Sequence, residues 1–166
     1  MGSTRHSYLS SNSRQRFIPF EPHSMNMQQQ QWTRASAVEI YGVPGRRNAN
    51  QKLRTCCRSK KEAYPECRRR YCDFNAISSF QVLTFLGQCL SKGDSVGNIW
   101  DCSSSIADHR DCCTRQLVLP ACMIYCDTTK EVYSDIKYAF CIGQFEKIRF
   151  CFRQHLEQHA NINGDT

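Results

Sequence analysis

The sequence predicts a small all-α domain cross-linked by disulfides and built from two related six-cysteine halves. Three observations predict it. All twelve cysteines fall between Cys56 and Cys151, two vicinal pairs head cysteine runs of matching spacing, and apolar residues recur at helical intervals between them. A dense, even cysteine set in a short chain marks a disulfide framework, and disulfides persist in oxidising compartments. The competing account is zinc held by reduced thiolates, which favours C-x2-4-C pairs. One C-x3-C is present, Cys122 and Cys126, but no C-x2-C occurs, and the pairs Cys56-Cys57 and Cys112-Cys113 suit tetrahedral ligation badly. Cys56, Cys57, Cys67, Cys72, Cys89, Cys102, Cys112, Cys113, Cys122, Cys126, Cys141 and Cys151 are therefore all expected to pair, with no metal or other cofactor. Each vicinal pair should split between two partners, because bridged Cα atoms sit ~4.4–6.8 Å apart with a fixed S–S dihedral. The connectivity itself stays open.

Residues 1–48 read as a disordered segment. Met25-Asn26-Met27 and four glutamines follow scattered Ser and Arg, and the apolar residues are isolated, too few to offset the entropy of ordering. The segment closes on Gly45-Arg46-Arg47, a turn with two solvated arginines or, alternatively, a processing site of a secretory precursor. Residues 49–157 form the cysteine-rich domain, and 158–166 read as a flexible tail.

The repeat lies inside the domain. Cys56-Cys57, nine residues, Cys67, four residues and Cys72 match Cys112-Cys113, eight residues, Cys122, three residues and Cys126. A fifth and a sixth cysteine follow in each half, Cys89 and Cys102, then Cys141 and Cys151. Pro65-Glu66-Cys67 matches Pro120-Ala121-Cys122, and Tyr71-Cys72-Asp73 matches Tyr125-Cys126-Asp127, at a period of roughly 55 residues. Two copies indicate an internal duplication.

Between the cysteines the period is helical. Asn75 is expected to cap a helix with Ile77, Phe80, Leu83, Leu86 and Leu90 on its inner face and Gly93 as its stop. Ser105 and Asp108 suggest a capping box ahead of Cys112 and Cys113. Thr128 and Glu131 suggest another, ahead of an inner face of Val132, Ile136, Ala139 and Phe140. A last helix places Phe145, Ile148, Phe152 and Leu156 on one side. No strand alternation is evident.

Taken together, the two cysteine words, Asp111-Cys112-Cys113 with Val118-Leu119-Pro120-Ala121-Cys122, and the closing Arg149-Phe150-Cys151-Phe152 resemble the DB module, a cysteine-rich extracellular domain. The resemblance covers about Leu53 to Phe152. It implies a secreted or cell-surface protein, and the family's biochemical role is itself undefined. An exported chain is expected to carry a signal peptide; Met1–Phe17 offers no apolar stretch of the ~7–15 residues one needs, and the cysteines outweigh that. No apolar run is long enough to span a bilayer.

No pattern rises to an active site, and no enzyme is expected. Asp111-Cys112-Cys113 is similar to the start of the secreted phospholipase A2 helix, but Gln116 and Leu117 stand where that family needs a histidine base and a calcium-binding aspartate. His155 and His159, one turn apart and one turn beyond Cys151, are expected to be exposed polar positions, not metal ligands. His109 beside Asp108 and Asp111 is expected on a solvated face. Charge is the uneven feature. Lys52, Arg54, Arg58, Lys60, Lys61, Arg68, Arg69 and Arg70 face only Glu62 and Glu66 in that stretch, whereas residues 71–166 hold eight basic and eleven acidic residues. Arg54, Arg58, Lys60, Lys61, Arg68, Arg69 and Arg70 are the candidate binding surface, for an extracellular protein or an acidic glycan. Nucleic acid is disfavoured because stacking aromatics are not interleaved with these charges. The expected role is an extracellular interaction module, with a secreted ligand processed at Arg46-Arg47 as the alternative and an enzyme of unrecognised chemistry as a distant third.

Overall fold

A computed structural model of the chain describes residues 35–130 and 136–166. Helical segments follow one another as α1 (Ala37–Tyr41), α2 (Ala49–Ser59), α3 (Pro65–Tyr71), α4 (Val82–Cys89), α5 (Ser95–Ser104), α6 (Arg110–Arg115), the 3-10 helices η1 (Pro120–Tyr125) and η2 (Ile136–Gln144), and α7 (Phe145–Gln158). Among the described residues the sole extended pairing is an isolated bridge between Asp108 and Asp127. The all-α expectation holds.

The disulfides repeat one connectivity twice. In the first half Cys56 pairs with Cys102, Cys57 with Cys72 and Cys67 with Cys89. In the second half Cys112 pairs with Cys151, Cys113 with Cys126 and Cys122 with Cys141. First joins sixth, second joins fourth and third joins fifth in each half, and no bridge crosses between halves. The vicinal cysteines do split, and no cysteine is free.

The duplication is one of structure as well as spacing. In each half a proline opens the segment leading to the fourth cysteine, where its missing N–H costs nothing. The first copy is an α-helix, and the second, one residue shorter, is a 3-10 helix. A 3-10 helix rises ~2.0 Å per residue against ~1.5 Å for an α-helix, so stretching the shorter segment preserves its span. The equivalent cross-links to Cys57 and Cys113 close in both halves, with Cα–Cα separations of 6.3 and 6.4 Å.

The core forms where α2, α5 and α7 pack on one another. Leu53, Ile99, Ile148, Phe152 and Leu156 are buried there with Cys56, Cys102 and Cys151. Trp100 meets Phe152 edge-on at 5.1 Å between ring centres. The face of α7 read from its period is confirmed, with Ile148, Phe152 and Leu156 inside and Phe145 half-buried against the core.

Other expected faces are corrected. On α4 the inner face is Val82, Phe85 and Cys89, while Phe80 is 95% exposed and Leu83 and Leu90 are exposed with it. The helix starts at Val82; Asn75 caps nothing there. The Cys67–Cys89 bridge explains the rotation, because tying Cys89 into the core fixes which stripe faces inward. On η2 the period tightens to three, with Cys141 buried and Tyr138 packed on the core, so Ala139 and Phe140 face solvent. Glu131 and Val132 lie outside the described residues. Ser105 does not open α6. It ends α5 in the left-handed region at φ 55°, and the cap of α6 is His109, with Asp108 Oδ1 accepting the Arg110 N–H at 3.0 Å.

The segment boundaries shift too. Residues 1–34 lie outside the described part, but 35–48 are structured. Ser36 and Glu39 cap α1 reciprocally, Asn48 and Gln51 cap α2 the same way, and α1 packs on α2. Gly42 bends the chain between them at φ 70°, where an added Cβ would meet Gln51 Oε1 at 2.5 Å. The residues expected to form a flexible tail fold back on α2. Asn161 is buried and donates its Nδ2 to the Lys52 carbonyl at 2.9 Å, Asn163 Nδ2 donates to Ser59 Oγ at 3.0 Å, and Asp165 pairs with Arg47. Polar composition hid this order, because the segment is held by hydrogen bonds with few apolar contacts.

Candidate binding face on the first half

The eight cations between Lys52 and Arg70 have different fates. Lys52 is 5% exposed. Its ammonium donates to the carbonyls of Leu156 and His159, both at 2.9 Å, so it neutralises the negative end of α7. Arg54 is half-buried, pairs with Asp73, and is withdrawn from the candidate surface. Arg68 is half-buried with Nη1 directed at the Arg58 carbonyl at 3.3 Å. Lys60 faces Asp101, whose carboxyl burial raises above its ordinary range despite that cation.

Arg58, Lys61, Arg69 and Arg70 remain exposed at the end of α2, in the following turn and on α3. No carboxylate of the described residues lies within ion-pair distance of them. Arg58 lies over the Tyr41 ring at 4.8 Å and Arg70 over the Tyr71 ring at 5.4 Å, contacts that hold a cation in place without cancelling its charge. The cross-links 57–72 and 67–89 fix α3 on either side of these arginines.

The structure adds a cation that the linear cluster did not contain. Lys92, on the turn after α4, lies 5.1 Å over the Tyr64 ring. It lines an open cleft with Arg70, Glu66, Tyr64, Tyr71 and Gln88, beside the Cys67–Cys89 bridge. The signal in the sequence was faint, since Lys92 stands alone among Ser91, Gly93 and Asp94.

The histidines gather elsewhere, where α7 meets the junction of the halves. His109 is buried, contrary to the solvated face expected for it. Its Nε2–H donates to the Ser104 carbonyl at 2.7 Å and its ring lies 4.6 Å from that of Phe152. His155 meets His109 edge-on at 5.0 Å and stacks on His159 at 4.4 Å. Burial holds the His155 imidazole down to about 4, helped by the neighbouring His109, His159 and Lys52 charges. Burial also lowers His109, against the opposing pull of the Ser104 carbonyl and Asp108. On the rim Asp108 is held at about 2 by its bonds from Arg110. No group of three or more His, Cys, Asp or Glu among the described residues is arranged to hold a metal ion.

An apolar cavity of about 50 Å³ lies between Leu53, Phe74, Ile99, Phe145 and Phe152, far below the ~300–1,000 Å³ of small-molecule pockets. No described helix is long and apolar enough to cross a membrane.

These features define a disulfide-stapled helical domain, duplicated within one chain. A model of the DB module matches residues 56–152, from the first vicinal cysteine to the residue after the last, and the chain belongs to that family. The framework and the family fit a disulfide-stabilised extracellular domain. No curated protein and no solved structure matches the chain.

Proposed function

We propose that this chain is a secreted or cell-surface interaction module whose cationic face, built from Arg58, Lys61, Arg69 and Arg70, engages an acidic glycan or an acidic extracellular protein. The observation that carries the reading is the exposure of these four cations, without carboxylate partners among the described residues, on a scaffold that disulfides hold rigid. Rigid presentation lowers the entropy cost of binding. A binding role, not a catalytic one, also fits the histidines: His109 is committed to a backbone carbonyl, and His155 is a weak base.

The alternative, a factor released by cleavage at Arg46-Arg47, is less well supported. Arg47 pairs with Asp165 and donates its Nε to the Tyr41 carbonyl at 2.6 Å, and a protease would have to extract it. The test is salt-dependent retention on a sulfated-polysaccharide column. The parent should bind at low salt and release steeply as salt rises, since exposed charges are screened within ~8 Å at physiological strength. Arg58→Ser with Arg69→Ser should elute earlier at an unchanged melting temperature. Arg68 is spared because its guanidinium holds the Arg58 carbonyl. Elution of this variant at the parent's salt would remove the face from consideration.

A further inference from the structure

The cleft beside the Cys67–Cys89 bridge has a donor set that a general cationic face lacks. Buried Ser95 ties its two ends together: the Tyr64 N–H donates to Ser95 Oγ at 2.8 Å, and Ser95 Oγ–H donates to the Lys92 carbonyl at 2.5 Å. The Lys92 ammonium is thereby held over the Tyr64 ring. Arg70 lies over Tyr71, whose hydroxyl donates to Gln88 Oε1. That bond orients the Gln88 amide and leaves its Nε2–H2 as a donor without a partner among the described residues. Residues carrying a guanidinium, an ammonium and an amide thus line one open hollow, with Glu66 the single acidic residue among them.

The donors match the oxygens of a sulfate or carboxylate group, and charge-assisted bonds of this kind are the strong ones. Glu66 decides what carries that group. A carboxylate accepts hydrogen bonds from hydroxyls, which a sugar ring supplies beside its sulfate and the side chains of a glutamate-rich peptide do not. The hollow is open, which suits one unit of a longer polymer.

We propose that this cleft is the subsite for one sulfated sugar unit of an extracellular glycan, with Arg70, Lys92 and Gln88 on the sulfate and Glu66 on a ring hydroxyl. This rests on the polyanion reading of the basic face and gives that reading a specific site. The experiment is titration calorimetry of the full oxidised chain with a short sulfated oligosaccharide, its desulfated counterpart, inorganic sulfate and a glutamate-rich peptide. The sulfated oligosaccharide should bind most tightly. Arg70→Gln with Lys92→Gln should weaken it about tenfold or more, and Arg58→Ser with Arg69→Ser, outside the cleft, should weaken it less. An unchanged mass and near-ultraviolet dichroism establish that each variant is folded. If only the Arg58/Arg69 variant loses affinity, the cleft proposal falls while the basic face stands. If the parent binds no polyanion, both fall. Equal affinity for the peptide or for the desulfated sugar overturns the sulfated-sugar assignment.

Discussion

The ammonium of Lys52 lies 2.9 Å from the carbonyl oxygen of Leu156, joining residues 104 positions apart in the chain. A cation from the first half of the duplication thus closes the last helix of the second, and Asn161 returns the contact by donating to the Lys52 carbonyl. Asn161 Oδ1 also accepts the N–H groups of Asn163 and Asp165, so one buried amide organises the C-terminal segment.

Asn161→Ala should therefore cost about 1–3 kcal/mol, because it removes one buried and two half-buried hydrogen bonds. Chemical denaturation measures this. Limited proteolysis should spare residues 35–48 at one end of the domain and 159–166 at the other. Rapid trimming of 159–166 would show that the tail contributes nothing.

Acidification should destabilise the fold through the histidine column. His155 and His109 both bind protons less readily folded than at the ordinary value of 6.5. The unfolded chain then binds more protons as pH drops, so both contributions are complete above about 6.5 and fall on the acid side of it, that of His155 being lost as pH falls toward about 4. The melting temperature should drop between pH 7 and pH 5. His155→Gln should flatten that dependence, and a proton NMR titration should place His155 near 4. A variant with the parent's pH profile would exonerate this histidine.

Leu117 sits in the left-handed region at φ 54° just after α6, with the Leu117 N–H on the Thr114 carbonyl and the Val118 N–H on that of Cys113. This paired termination favours glycine. Leu117 is 78% exposed and loses little contact on truncation. Leu117→Gly should stabilise by about 0.5–1 kcal/mol, the left-handed penalty less the added freedom of the unfolded chain. Calorimetry decides it. A lower melting temperature would mean that the leucine makes a contact worth more than the strain.

Peptide mapping of the oxidised protein should recover 56–102, 57–72, 67–89, 112–151, 113–126 and 122–141, with the intact mass twelve hydrogens below the reduced form. Cys57→Ser with Cys72→Ser should cost ~2–4 kcal/mol. Any bridge joining the two halves would contradict the fold.

What the sequence conveyed and what it hid follow from the same physics. The cysteine words carried the two halves, and α7 showed its face because Ile148, Phe152 and Leu156 are backed by polar Arg153, Gln154 and Glu157. The helix at Val82 is apolar on more than one side, so its period alone could not choose between the stripe of Leu83 and Leu90 and that of Val82 and Phe85. The half-cystine at 89 makes that choice, and it carries weight only once its partner is known. Lys52 hid within a basic run whose other members are mostly surface groups, since nothing local distinguishes a cation that reaches a helix end. Lys92 joined the face only through the fold.

The connectivity has a consequence for the integrity of the molecule. Each set of bridges is closed within its own half, so the only covalent thread between the halves is the backbone from Cys102 to Cys112. One cut in that thread would give two fragments on a denaturing, non-reducing gel, yet a single particle in native buffer. The six bridges shrink the unfolded freedom of each half and make no covalent link from one half to the other. That affinity belongs to the side chains that α2 and α5 share with α7, so denaturant, more than reductant, should part the halves of a nicked molecule.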